Sequence, residues 1–293
     1  MLSKKHKWVL ELQTNKFVET LMVWNYKTHF KNTWIEFADF REYQPWDDAK
    51  KIDFITSSKI WKTLVKLYEE ERELDVYFLP FFGDEINFEM NDVNKRNILE
   101  EVLYVLWIST IKQQNKFGSL YYNWNKRNIF PLAKGIAHFY DYFSKIEKNN
   151  FSENKNIFQK ILNKKNEKNI SEKLNYFNNL KIKNSLVFLF TSDLEINEKQ
   201  LKIAALKNDL VVCNIFHSFE NNLDDKWIVW FTNWDDNLFV DLDNKQKKSQ
   251  YRELRKKKVI DFRKKVRKSG ANYIYFDEKT NVFAELYKFF QSR

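Results

Sequence analysis

Hydrophobic residues in this chain fall into short, nearly continuous runs separated by stretches of helical spacing. Leu74–Phe81, Lys116–Tyr122, Ser185–Phe190, Leu210–Phe216 and Ala271–Phe276 are strand-length and rich in aliphatic and aromatic residues. Ser185–Phe190 is apolar at almost every position, which predicts a strand covered on both faces, as in a parallel sheet. Helical spacing marks Asp92–Gln114, Phe130–Lys148, Ser171–Leu180, Asn197–Asn208, Lys245–Ser269 and Asn281–Phe290. Asp92 is the expected N-cap of the first of these, Pro131 sits in the expected first turn of the second, and Gly270 is a C-terminal stop after Ser269. Lys4–Val23 predicts an amphipathic N-terminal helix, and Trp227–Asp243 predicts a hairpin or edge excursion. Strands alternating with helices predict a doubly wound, mostly parallel α/β sheet. Two stretches interrupt the alternation. Residues 24–73 are polar and aromatic with turn signals, predicting irregular structure and short strands, and residues 149–169 read as a polar insertion. The division expected from this pattern is 1–73, an N-terminal helix and irregular segment, followed by an α/β domain over 74–293.

Composition narrows the function classes. No run approaches the roughly 20 apolar residues of a membrane helix, and the basic start of the chain leads into no apolar signal core, so a cytoplasmic protein is expected. The single cysteine, Cys213, lies inside a predicted strand and reads as a small buried hydrophobe. His6, His29, His138 and His217 are scattered and pair with no cysteine at metal-ligand spacing. The four glycines stand alone, so no phosphate-cradling loop exists and no cofactor is implied. Ser57, Ser58 and Ser192 have no neighbouring base in sequence, and the acidic run from Glu69 to Glu73 reads first as a solvated lead-in to a strand. A non-catalytic protein is the expectation.

Charge adds one feature. The net charge of +10 accompanies a Lys- and Asn-rich composition, so by itself it says little about partners. Lys245–Lys268, however, holds thirteen Lys or Arg against Glu253 and Asp261. On a helix this is a strongly positive surface, and a nucleic-acid-binding module using residues 245–268 is the alternative functional reading.

The segment Trp34–Leu74 carries an order that composition does not explain: W-I-E-F-A-D-F-R-E-Y-Q-P-W-D-D-A-K-K-I-D-F, and later E-E-E-R-E-L. It resembles the bacterial domain of unknown function 58 family, whose hallmark reads E-F-x-x-x-R-x-Y-x-x-G-D-D-x-R-x-I-D-W followed by E-E-R-E-L. The matching positions are Glu36, Phe37, Arg41, Tyr43, Pro45, Asp47, Asp48, Ile52, Asp53, Glu70, Glu71 and Arg72. The resemblance implies a von Willebrand factor type A-like domain and partnership with a MoxR-type AAA+ ATPase in assembly or maturation of other proteins. Arg41, Asp47, Asp48 and Asp53 then serve either to recognise that partner or to form an internal ion-pair and turn network. In the second case Arg41 grips a carboxylate bidentately while the other aspartates cap turns.

Two departures from the family pattern follow. The metal site of such domains begins Asp-x-Ser-x-Ser after the first core strand, and those positions fall here on Phe81, Gly83 and Glu85. Phe81 offers no oxygen to a hard cation, so a degenerate site is expected, with Asp84, Glu85 and Asp193 as the weak remaining candidates. Tryptophans also occupy glycine positions of the pattern at Trp24, Trp34, Trp46 and Trp61, in a chain with ten tryptophans and four glycines. This balance suggests that some of these codons are UGA, read as glycine in the source. Trp46, following Pro45 in a turn, is expected at a position that wants positive φ.

Overall fold

The computed structural model describes residues 34–71, 74–82, 86, 89–90, 93–123, 126–150, 170–222, 228–232, 237–241 and 245–292. The expected helix at 4–23, and all of the polar insertion except residues 149–150, lie outside them. The chain divides into two compact units, Phe30–Glu73 and a larger one containing Leu74–Arg293.

The smaller unit is an antiparallel pair, β1 (Trp34–Glu42) and β2 (Leu64–Glu71), joined by a 3-10 turn at Ala49–Lys51 and a short helix α1 (Phe54–Ile60). Residues 34–71 are therefore more regular than the pattern predicts for 24–73. The strands pair from Trp34 opposite Glu71 to Glu42 opposite Leu64, with a bulge between Phe37 and Asp39.

The larger unit is built on a six-stranded sheet. Its strands are β3 (Asp75–Pro80), β6 (Lys116–Asn123), β7 (Lys126–Ala133), β8 (Leu186–Thr191), β9 (Asp209–Ile215) and β12 (Asn272–Phe276). They lie in the order β12-β9-β8-β3-β6-β7, all parallel except β7, which runs against β6. Two small antiparallel pairs stand outside the sheet: β4 (Glu89–Met90) with β5 (Val93–Asn94), and β10 (Ile228–Thr232) with β11 (Asn237–Asp241). The second is the hairpin expected within 227–243.

Helices cover both faces, as the doubly apolar strands require. One core packs α2 (Lys95–Lys112), α3 (Ile136–Asn150) and α8 (Val282–Gln291) on alternate strand residues such as Phe78, Phe188, Phe190 and Val211. The other packs α4 (Ile170–Asn179), α5 (Glu198–Lys207) and α7 (Lys245–Lys268) on the intervening residues Leu79, Val187, Leu189 and Val212. A five-residue helix, α6 (Ser218–Asn222), follows β9. The mixed α/β architecture with a mostly parallel sheet is thus present. Close packing forces one glycine: a Cβ on Gly118 would meet the Tyr77 ring at 2.9 Å. Gly270, at φ +86°, ends α7 as its sequence position suggested.

Two expectations fail locally. Residues 130–133 are strand, not the start of a helix, and α3 begins only at Ile136. Pro131 is tolerated there because β7 is an edge strand, where a missing N–H breaks no ladder on the open side. Among the described residues Asn94, not Asp92, caps α2, its Oδ1 accepting the Arg96 N–H at 2.9 Å. No helix among the described residues is long and apolar enough to cross a membrane.

Candidate functional site

The residues of the Arg41–Asp53 motif come together in the smaller unit, where the chain leaves β1, turns and enters α1. Pro45 and Trp46 form the turn between Gln44 and Asp47, closed by the Asp47 N–H donating to the Gln44 carbonyl at 2.9 Å. The Asp47 carboxylate holds this turn from both sides. Its Oδ2 accepts the Gln44 N–H at 2.8 Å and its Oδ1 accepts from Arg41 Nη2 at 2.7 Å. Arg41 thus meets Asp47 through one nitrogen, and its Nη1 turns to the Glu42 carbonyl at 3.4 Å, so the bidentate grip is not formed. Asp48 caps the 3-10 turn through the Lys50 N–H at 3.0 Å. Asp53 caps α1 through the Thr56 N–H at 3.0 Å and pairs with Lys66 at 2.9 Å. Tyr43 joins the unit through its N–H, which donates to the Thr63 carbonyl at 2.8 Å, and Ile52 bridges to Val65.

This network shifts two carboxylates in the same direction. The Arg41 guanidinium, followed by the Gln44 N–H, holds Asp47 below the usual aspartate range. The Thr56 N–H and then the Lys66 ammonium do the same for Asp53. Two contributors were not visible in the motif. Ser57 Oγ accepts the Leu64 N–H at 2.8 Å, and Lys66 supplies the charge opposite Asp53 from β2. A serine one turn into a capped helix was the available signal for the first.

For three motif acids the backbone alone is described. Glu36 faces Glu69 across the β1–β2 pair, while Glu70 and Glu71 face Ile35 and Trp34. Their side chains lie outside the described residues, as does Arg72 entirely. The motif aspartates Asp47, Asp48 and Asp53 each accept from the motif's own backbone. Beside its exposed charges, Arg41, Glu42, Asp48, Lys50, Lys51, Lys59 and Lys62, the unit exposes large apolar side chains: Trp46, Phe54, Ile55, Ile60 and Trp61, with Phe54 and Ile55 each at 73%. Among the described residues of the unit, Leu64 and Val65 are the buried ones.

The tryptophan positions separate in the structure. Trp61 follows α1 in the left-handed conformation, φ 57° and ψ 27°, at 94% exposure. That is the helix-ending position where glycine is favoured. Trp46 is different: among the described residues the non-glycine positions with positive φ are Trp61, Gln114 and Asn184. The Gln44–Asp47 turn therefore runs through negative φ at its third position, which any residue adopts, and the expected glycine requirement at 46 does not hold. The Trp34 backbone is strand, and Trp24 lies outside the described residues.

At the C-terminal ends of the central strands, Phe81 is buried, its N–H donating to the Phe190 carbonyl at 3.0 Å and its ring against Tyr122. Asp193 shapes the loop after β8: its N–H donates to Thr191 Oγ1 at 2.9 Å and its Oδ1 accepts the Glu195 N–H at 3.1 Å. Asp84 and Glu85 lie outside the described residues. Among the described residues no three His, Cys, Asp or Glu side chains gather as a metal site. The Phe81 side chain itself offers no oxygen to a cation.

A second polar cluster sits at the ends of β9 and β12. Glu220 on α6 joins Lys95 at 2.5 Å and Arg255 of α7 at 2.9 Å. Burial pushes the neighbouring Glu278 up, but the Ser218 hydroxyl and N–H donate to it and carry it below the usual glutamate range. These contacts tie α2, α6, α7 and the loop after β12 together.

A search of curated proteins gives no match. A family model described as "Protein of unknown function DUF58" matches residues 39–262, well over half of the chain, covering Arg41–Asp53 and the strands from β3 to β9. On that match, the chain belongs to the DUF58 family of proteins of unknown function.

Proposed function

We propose that this protein is a non-catalytic adaptor whose smaller unit docks on a protein partner. The observation that carries the reading is that the motif aspartates are engaged on their own unit's backbone while large apolar side chains beside them stand in solvent. Isolated exposed apolar residues are ordinary. Five within sixteen positions, Trp46 to Trp61, are not, and a rigid turn-and-helix that presents them lowers the ordering cost of binding. With glycine at 46 and 61, Phe54, Ile55 and Ile60 would still present such a surface.

The family resemblance supports the choice of partner, and the absence of a signal-like start and of a membrane-length apolar run in the sequence supports the choice of setting. The larger unit is read as a divergent von Willebrand factor A-type domain whose metal site is degenerate, so partner capture through a bridging cation gives way to apolar contact. The partner is a MoxR-type AAA+ ATPase, and the setting is the cytoplasm, where the pair assists assembly or maturation of other proteins.

The test is co-purification of the tagged protein from its own host, with bound proteins identified by mass spectrometry. Enrichment of an AAA+ ATPase, lost in Phe54→Asp/Ile55→Asp, supports the reading. Those side chains are exposed, so the variant spares the internal network that Asp47 substitution would break. An ATPase absent from the wild-type sample, or retained by the variant, removes it.

A further inference from the structure

The longest of the described helices has no part in the adaptor reading, and its surface is chemically distinctive. α7 spans 24 residues, about 36 Å at 1.5 Å per residue. Four of its apolar positions face the protein: Phe262 and Val266 are buried, and Val259 and Tyr251 are partly so. The opposite ridge carries Lys256, Lys257, Lys264 and Arg267, all exposed. Among the described residues none of these four pairs with a carboxylate. The acids of the helix itself are Glu253 and Asp261. Acids next to it engage its flanks instead, Glu195 with Lys258 at 3.3 Å and Glu198 with Lys268 at 3.4 Å. The second of these pairs links α7 to α5, which packs beside it and adds the exposed Lys199 and Lys202. The result is an elongated basic strip across two helices.

We infer that this α5–α7 strip binds the phosphate backbone of a nucleic-acid duplex, independently of base sequence. Lys257 and Lys264 lie about two helical turns apart and Lys256 and Arg267 about three, so the four cations run along about 100° of the outward face, where Glu253 is the one acid among them. This matches an extended, evenly charged rod better than the irregular charge of an acidic protein surface. An anionic membrane fits less well. The exposed aliphatics Leu254 and Ile260 are six residues apart, about 120° around the helix, so they form no common inserting edge. The ridge also carries no aromatic ring on which unpaired bases could stack, which favours duplex over single strand. This inference uses residues distant in sequence from the Trp46–Trp61 surface and does not depend on the adaptor reading.

The experiment is a fluorescence-anisotropy titration of the full chain against a labelled mixed-sequence DNA duplex of about 24 base pairs. If about four phosphates are neutralised, affinity should fall roughly a hundredfold between about 50 and 200 mM salt. Lys256→Glu/Lys257→Glu/Lys264→Glu should weaken binding at least about tenfold at low salt and flatten the salt slope. Lys181→Glu/Lys183→Glu/Lys279→Glu makes the same change in net charge at exposed positions elsewhere, and should bind as wild type. Three results overturn the inference: no duplex binding at the lowest salt, equal loss in both triple variants, or stronger binding to phosphatidylserine vesicles than to duplex.

Discussion

Lys95 and Glu220 are 125 positions apart in the chain, yet the Lys95 ammonium lies 2.5 Å from the Glu220 carboxylate, with both side chains nearly removed from water. Glu220 also takes Arg255 on its second oxygen, so a single acid on a five-residue helix holds the start of α2 and the middle of α7. Removing one member of a buried ionic cluster costs more than an exposed pair would, because the remaining charges keep their desolvation penalty. Glu220→Ala is therefore expected to destabilise by about 3 kcal/mol in urea unfolding. Glu220→Gln, which keeps an acceptor, should lose less. A loss below about 1 kcal/mol for the alanine variant would show that the cluster is a surface-like pair of little consequence.

That cluster marks the boundary of what could be read from the chain. Ser185–Phe190 announced its strand because a parallel strand needs apolar residues on both faces. Asn197 and Asn281 announced helix starts because their side chains accept the Lys199 and Ala284 N–H groups. Phe130–Pro131 misled because a proline in a first helical turn and a proline on an edge strand carry the same local signature. The motif aspartates were legible as turn and cap formers, but the burial of Lys95 was not. Nothing local to a lysine in a first helical turn reveals a carboxylate delivered by a distant helix. The exposure of Phe54 and Ile55 was equally hidden, since hydropathy does not reveal how few partners a small unit offers.

Cys213 in the centre of β9 is fully buried, and burial pushes its thiol well above the usual cysteine range. The thiolate is the reactive form, so the folded protein should not react with a thiol-specific reagent at pH 8 on a timescale of minutes. One equivalent should react promptly in denaturant. Fast reaction of the native protein would place Cys213 in an opening segment rather than in the core.

Trp61 offers a test that separates conformation from packing. Its left-handed backbone strains an L-residue by roughly 1 kcal/mol, and its near-complete exposure means that little is lost when the ring is removed. Trp61→Gly should therefore stabilise the smaller unit by roughly 0.5–1 kcal/mol, measured as slower hydrogen exchange in peptides spanning 54–64. Trp46→Gly should give no such gain, because its turn needs no positive φ. The coding DNA bears on the same point. UGA at codon 61 would mean that the native residue is the glycine the backbone favours, and UGG would mean that the strain is native.

The lowered Asp47 and Asp53 carboxylates make the motif unit sensitive to acid. Both are held below their unfolded value of about 3.9, Asp47 first by Arg41 and Asp53 first by the Thr56 N–H. A carboxylate depressed in the folded state contributes fully above the unfolded pKa, and that contribution disappears as pH falls through the lower folded value. Hydrogen-exchange protection of peptides covering 41–66, corrected for intrinsic rates, should therefore be flat from pH 7 to about 5 and fall below about 4. Asp47→Asn/Asp53→Asn should already be less protected at pH 7 and should lose the acid step, since Arg41 and Lys66 keep their charge across this range. Protection that holds unchanged down to about pH 2.5 would mean that the turn and the start of α1 are fixed by backbone contacts alone, with Arg41 and Lys66 as bystanders.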